Sequence, residues 1–220
     1  MADSDDRKAG TIILRDLALF NKSAVFFETQ IDPFISNKIG QAASSWLETR
    51  DWLGETDVAA EPRGLWVAPR RWADGKDDCV AWFMLSRRAN SAGSSYRVAD
   101  LFGVGQAEFG FRFKVEQNAF GGARAWKAYA EGLSGLRERL AGRGWVPEGN
   151  DAFFRPVILP ADKLAAAWEG DDWEEALAPL VEALDGLERD ASIFDAIIDG
   201  ARGHAAVRTS PRGPETADAG

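Results

Sequence analysis

At 220 residues, 45% hydrophobic and 11% aromatic, the chain has the length of one domain and enough apolar material to fill its core. One histidine, His204, and one cysteine, Cys79, exclude an intramolecular disulfide and a Cys/His zinc site, and leave no Ser–His–Asp or Cys–His arrangement on an ordered scaffold. The net charge of −9 sits in one place: between Ala161 and Arg202 twelve acids oppose three bases, so that segment alone carries −9.

The remainder is neutral, with a small basic cluster at Arg63, Arg70, Arg71 and Lys76. That falls short of the strong basic face of nucleic-acid-binding proteins, so no direct nucleic-acid partner is expected. No run of 18 apolar residues is present, and no membrane span is expected. The start, Met-Ala-Asp-Ser-Asp-Asp-Arg-Lys, is acidic with no apolar signal core behind it, which points to the cytoplasm. In that reducing compartment Cys79, inside an apolar run, reads as a buried, inert thiol. Nine tryptophans each need a partner for the indole N–H, which places several at domain edges or in grooves.

In chain order, residues 1–10 read as loose and polar, Thr11–Asn21 as a strand, and Ala24–Glu28 as another strand or its continuation. Asp32-Pro33 opens a helix to about Thr49, with Ile35, Ile39, Ala42 and Trp46 at helical spacing. Asp51–Arg63 is polar connection, and Gly64–Trp72 a short strand interrupted by Pro69, as suits an edge or a bulge. After a turn at Asp77–Asp78, the apolar run Cys79–Leu85 predicts a central strand covered on both faces. A flexible loop, Ala89–Ser95, precedes strands at Tyr96–Phe102 and Gly105–Glu116, with Gly103 and Gly105 at the bend.

Trp126, Tyr129, Leu133, Leu136 and Leu140 predict one amphipathic helix ending near Gly142–Gly144. Phe153–Leu159 is a strand closed by Pro160, and Asp162 caps a short helix to Glu169. A longer helix starts at Asp172, with Leu177, Leu180, Val181, Leu184 and Leu187 on one face and a kink at Pro179. Ser192 and Asp195 have capping-box spacing for a last short helix through Asp199. The expected fold is α+β: a mainly antiparallel sheet with helices on one side and an acidic C-terminal helical segment, 161–202. The domain would span residues 1–202, followed by a polar, disordered tail at 203–220.

The glycine-rich stretch Phe102–Gly110 lacks the spacing of a phosphate loop and is not followed by a helical pattern, so no nucleotide is expected. Asp74, Asp77 and Asp78, with Glu108 and Lys114, would be the carboxylates and lysine of a metal-dependent nuclease, but the acids read better as a turn. No cofactor or metal site is expected on these grounds.

The segment Gln106-Ala107-Glu108-Phe109-Gly110-Phe111 is similar to the short motif by which bacterial replication proteins dock on the DNA polymerase III β sliding clamp. Such peptides place a glutamine amide in a polar subsite and large apolar side chains in a greasy cleft, roles that fall to Gln106, Phe109 and Phe111. A second, partial match, Asp16-Leu17-Ala18-Leu19-Phe20, has the apolar end without the glutamine. Together with the size, acidity and lack of a catalytic set, the motif resembles that of the SocB-type bacterial toxins. The resemblance implies a clamp-binding inhibitor of replication, an antitoxin partner, and delivery to a ClpXP-type protease. The same residues also fit a half-buried strand, because Ala107, Phe109, Phe111, Phe113 and Val115 alternate with polar residues and Gly110. The leading expectation is a non-catalytic protein-interaction factor. The alternatives are an acidic inhibitor or immunity-type protein for a basic partner, and a carboxylate-dependent hydrolase.

Overall fold

Alternation along two phenylalanine-rich segments sets the centre of the molecule. In the computed structural model, which describes residues 4–60, 62–75, 78–89, 96–105, 107–148 and 152–209, Ala81–Ala89 (β3) and Ala107–Val115 (β4) pair antiparallel along their whole length. Phe83 lies opposite Phe113 and Leu85 opposite Phe111, so these side chains share one face, as the two-residue period of a strand requires. Trp52–Glu55 (β1), Trp66–Pro69 (β2), Val146–Glu148 (β5) and Ala152–Pro156 (β6) complete a six-stranded sheet in the order β1-β2-β3-β4-β6-β5. Every neighbouring pair is antiparallel.

Helices cover the phenylalanine face. Asp32–Glu48 (α3) starts with Pro33 in its first turn and buries Ile35, Ile39, Ala43 and Trp46, a stripe at three- and four-residue steps. The longest helix, Glu174–Thr209 (α8), has 36 residues and buries Leu177, Leu180, Leu184, Leu187, Phe194, Ile197 and Ile198. Phe194 is the hub of the core. Its ring lies 4.6 to 5.9 Å from the rings of Phe83, Phe113, Trp145 and Phe153. The α+β architecture expected from the sequence is therefore the one observed, with the acidic segment forming most of α8.

Three carboxylates on α8 grip the body through tryptophans. Asp185 accepts from Trp46 Nε1 (2.8 Å) and Arg50 (2.9 Å). Asp190 accepts from Trp145 Nε1 (2.8 Å) and Arg143 (2.8 Å), with Arg155 at 3.4 Å. Asp195 accepts from Trp72 Nε1 (2.6 Å) and Arg71 (2.9 Å). Steps of five residues turn a helix by about 140° beyond a full circle, so the three carboxylates fan out to neighbours on different sides.

Trp82, Met84, Arg88, Arg112 and Phe154 occupy the opposite face of the sheet, following the register. Arg63 lies over Trp82 at 4.3 Å, and Arg88 over Phe154 at 4.9 Å. Guanidinium planes thus shield these rings. Within the apolar run Cys79–Leu85, Trp82 meets an arginine side chain on this second face.

Several local expectations are corrected. Residues 4–15 and 17–26 are helices, Ser4–Arg15 (α1) and Leu17–Phe26 (α2), joined through a π-helical turn at Phe27–Ile31 to α3. Neither Thr11–Asn21 nor Ala24–Glu28 is a strand, because a short apolar run is compatible with either conformation and its period does not choose. Tyr96–Phe102 holds a short helix, Arg97–Leu101 (α4), and β1 lies within the expected connection. The single helix expected over Trp126–Leu140 is two, Ala123–Glu131 (α5) and Ser134–Ala141 (α6), separated at Gly132 and Leu133. The short helix is present as Ala161–Gly170 (α7), but Pro160 is its N-cap and Asp162 lies in its first turn without capping it, whereas β5 had no clear signal in the sequence.

At Ser192 and Asp195 α8 continues unbroken, since the Asp195 carboxylate binds Trp72 instead of capping a new helix. Helix α8 also runs on through Gly203 to Thr209, where a polar tail was expected; residues 210–220 lie outside the described residues. The loop expected at Ala89–Ser95 falls on them for residues 90–95, as does Asp77 of the expected turn.

Replacing Asp190 by alanine strands a buried indole N–H and a half-buried Arg155. The expected cost is about 3–5 kcal/mol, the range for removing one partner of a buried charged pair. Asp199→Ala, on the exposed side of α8, is expected to shift stability by no more than about 0.5 kcal/mol. Urea unfolding of the two variants checks the contrast.

Candidate functional site

Strand β4 places the expected clamp-binding residues inside the sheet. Phe109 is 3% exposed and Phe111 0%, and Ala107 is buried beside them. Glu108 pairs with Arg88 on the arginine-covered face. Gln106 lies outside the described residues. Gly110 is not a point where the strand peels away: a Cβ there would run into the Arg155 carbonyl and the Phe154 ring of β6. The segment Gln106–Phe111 therefore has no apolar anchor free to enter a partner's cleft, because its phenylalanines build the core. Alternation was the decisive clue there.

The second, partial match lies in the opposite environment. Asp16 is the N-cap of α2, its side chain accepting the Leu19 N–H at 3.3 Å. Leu17, Leu19 and Phe20 are 54%, 58% and 48% exposed, and α2 buries no residue at all. Ile12, Leu14, Val25 and Phe26 are exposed as well. A helix apolar around its circumference is normally buried, and a monomer rarely shows an apolar patch beyond a few hundred Å². This arm, Ile12–Phe26, holds seven of the twelve exposed large hydrophobic side chains among the described residues.

The arm joins the body at an aromatic seam. Phe26 and Phe34 both meet Trp168 of α7 edge-on, at 6.3 and 5.2 Å. Beside them is an apolar cleft of about 290 Å³ lined by Ile31, Ile35, Phe102, Leu164 and Trp168. The π-helical turn is held by Tyr96, whose hydroxyl donates to Glu28 Oε1 at 2.9 Å while its ring lies 4.9 Å from Phe27. That carboxylate raises the Tyr96 phenol above its ordinary value, through the hydrogen bond first and its negative charge second.

The acidic segment is mostly occupied within the chain. Besides Asp185, Asp190 and Asp195, Asp171 pairs with Lys38, Glu175 with Lys163, Glu188 with Arg50 and Asp199 with Arg202. Asp171 also accepts from Trp173 Nε1, and the two donors hold its carboxyl below the usual range. The basic cluster is likewise engaged, Arg63 with Asp78, Arg70 with Asp51 and Arg71 with Asp195, while Lys76 lies outside the described residues.

Two of the carboxylates considered for metal chemistry are paired, Asp78 with Arg63 and Glu108 with Arg88, while the Asp74 backbone N–H donates to the Asp78 carbonyl and Asp77 lies outside the described residues. Among the described residues no group of three or more His, Cys, Asp or Glu side chains converges to hold a metal ion. His204 packs its ring 5.9 Å from Tyr129 in α5. No helix among the described residues is long and apolar enough to cross a membrane. Comparison with protein-family models, curated proteins and solved structures finds no match to this chain.

Cys79 is 2% exposed, and burial pushes its thiol up, with the Asp78 charge adding to the effect and Arg63 opposing it. Ellman's reagent at pH 8 is expected to leave the native protein unlabelled and to label one thiol after denaturation; rapid native labelling would place Cys79 at the surface. Phe111→Ala is expected to cost about 3–5 kcal/mol, and Phe20→Ala no more than about 0.5 kcal/mol, both measured by denaturant unfolding.

Proposed function

We propose that this chain is a non-catalytic protein-interaction factor that engages its partner through the apolar arm Ile12–Phe26, with the bacterial β sliding clamp as the partner. The observation that supports this reading is the exposure of Leu17, Leu19 and Phe20 on a helix that buries nothing. Asp16–Phe20 carries the apolar end of the clamp-binding pattern, and it stands beside the break between α1 and α2. Unwinding the first turn of α2 to fit a cleft would break no core contact, so the ordering and refolding cost of docking is confined to one turn. A protein cleft suits the arm better than a membrane surface, because an interfacial helix needs one polar and one apolar face, whereas α2 scatters Asn21, Lys22 and Ser23 around its girth among apolar residues.

Occupying the clamp would exclude the polymerase from the same pocket, which is the toxin reading implied by the resemblance to SocB-type proteins. An antitoxin and a ClpXP-type protease are partners of that reading. The acidic-inhibitor alternative has less support, since seven of the twelve acids are already paired within the chain.

Binding of the full chain to immobilised sliding clamp tests the proposal. The parent is expected to bind with little dependence on salt, as apolar docking does. Leu19→Asp with Phe20→Asp is expected to bind at least about tenfold more weakly, the effect of losing a central anchor, with an unchanged melting temperature. Absence of binding by the parent, or equal binding by the variant, would refute it.

A further inference from the structure

The arm Ile12–Phe26 and the cleft at its root are two apolar surfaces on one molecule. Helices α1 and α2 have 12 and 10 residues, and isolated helices of that length are marginal in water, so such an arm gains stability from a cover. Apart from Met1, the residues of this sequence outside the described ones are polar, small or proline. None of those stretches is an apolar segment that could lie over the arm. A cover has to come from another molecule.

Three features of the arm fit a second copy of the same chain. Its charge balances, with four acids and four bases between Asp5 and Glu28, whereas the whole chain carries −9. Two arms therefore meet without the repulsion that two acidic surfaces would impose. Its area suffices as well. Ile12, Leu14, Leu17, Leu19, Phe20, Val25 and Phe26 are 48% to 73% exposed. Together they offer on the order of 800 Å² per copy, about the share of each partner in a standard interface. Third, these side chains are spread around the helix rather than gathered on one side, so a single flat surface would leave part of them in water.

An antiparallel pair of arms covers two sides at once. Ile12 and Phe26 are about 21 Å apart along a helix. Two arms crossing antiparallel about Leu19 bring Ile12 and Leu14 of one copy beside Phe26 and Trp168 of the other. There the cleft of about 290 Å³ opens between Ile31, Ile35 and Leu164. The same register sets Asp16 of one copy opposite Lys22 of the other, an ion pair made twice by the symmetry.

We infer that this chain forms a two-fold dimer in which the arms pair antiparallel and the tip of each reaches the apolar cleft at the other's root. Leu17, Leu19 and Phe20 lie in the middle of that pair, so the dimer withholds them from any other protein and the monomer presents them. The dimer does not rest on which partner the monomer engages.

Sedimentation equilibrium of the full chain, with no other protein present, tests the inference over a range of concentrations. The mass is expected to reach twice that of one chain and to stop there, because a two-fold interface closes on itself. Ile12→Asp with Leu14→Asp, outside Asp16–Phe20, is expected to weaken dimerisation at least about tenfold. Both positions are exposed, so the variant should still unfold cooperatively by tryptophan fluorescence. Lys22→Asp is a second, milder variant that sets like charges opposite each other, and it too should weaken the dimer. A parent that stays monomeric, a mass that grows past two chains, or an Ile12→Asp, Leu14→Asp variant that dimerises like the parent overturns the proposal. A failure to bind the sliding clamp would leave all of these outcomes unchanged.

Discussion

Helix α8 lies at the centre of the core while carrying much of the chain's negative charge, and the carboxylate–indole–guanidinium contacts reconcile the two. Burying an unpaired carboxylate is costly, so a helix with acids on several sides can be enclosed only where each buried acid meets donors. Trp46, Trp72 and Trp145 supply neutral N–H donors, and Arg50, Arg71, Arg143 and Arg155 supply charge. Each indole also fills apolar space beside the acid it binds, as the packing of Trp72 and Trp145 on Phe83 illustrates. The high tryptophan count and the acidic segment are two halves of one device. Remove the donors and the helix has no place in the core.

The same economy governs the far face of the sheet. Arginines lie over Trp82 and Phe154 there and pair with Glu108, Glu148 and Asp78. Charge on that face is thus compensated locally, which leaves little field for a polyanion. Apolar surface left uncovered is found instead on the arm Ile12–Phe26, which adjoins the π-helical turn Phe27–Ile31 on its N-terminal side.

Much of the fold was legible because one-sided burial leaves a periodic trace. Ile35, Ile39 and Trp46 mark α3, and the alternating phenylalanines mark β4, the strand with core neighbours on both sides. The arm was misread as strand for the same reason in reverse: with no side buried, its apolar residues carry no period to read. The candidate site followed suit. Gln106–Phe111 matched a peptide pattern by residue type while its alternation belonged to a sheet, and the weaker match at Asp16–Phe20 is the exposed one. The capping-box spacing at Ser192 and Asp195 was a sound local signal overridden by a distant tryptophan.

The amino-acid sequence by itself determined what composition and short-range pattern can carry. It excluded a Cys/His metal site and a disulfide, located the charge, and marked the strands and helices whose neighbours lie on one side only. Tertiary structure decided which apolar residues stay exposed and which acids are spent on internal donors. Those outcomes rest on contacts between residues far apart in the chain: Trp46 with Asp185 across 139 residues, Trp72 with Asp195 across 123 and Arg97 with Asp32 across 65. No local window contains both partners of such a pair, so hydrogen bonding and exposure at these positions became readable only once the chain had folded back on itself.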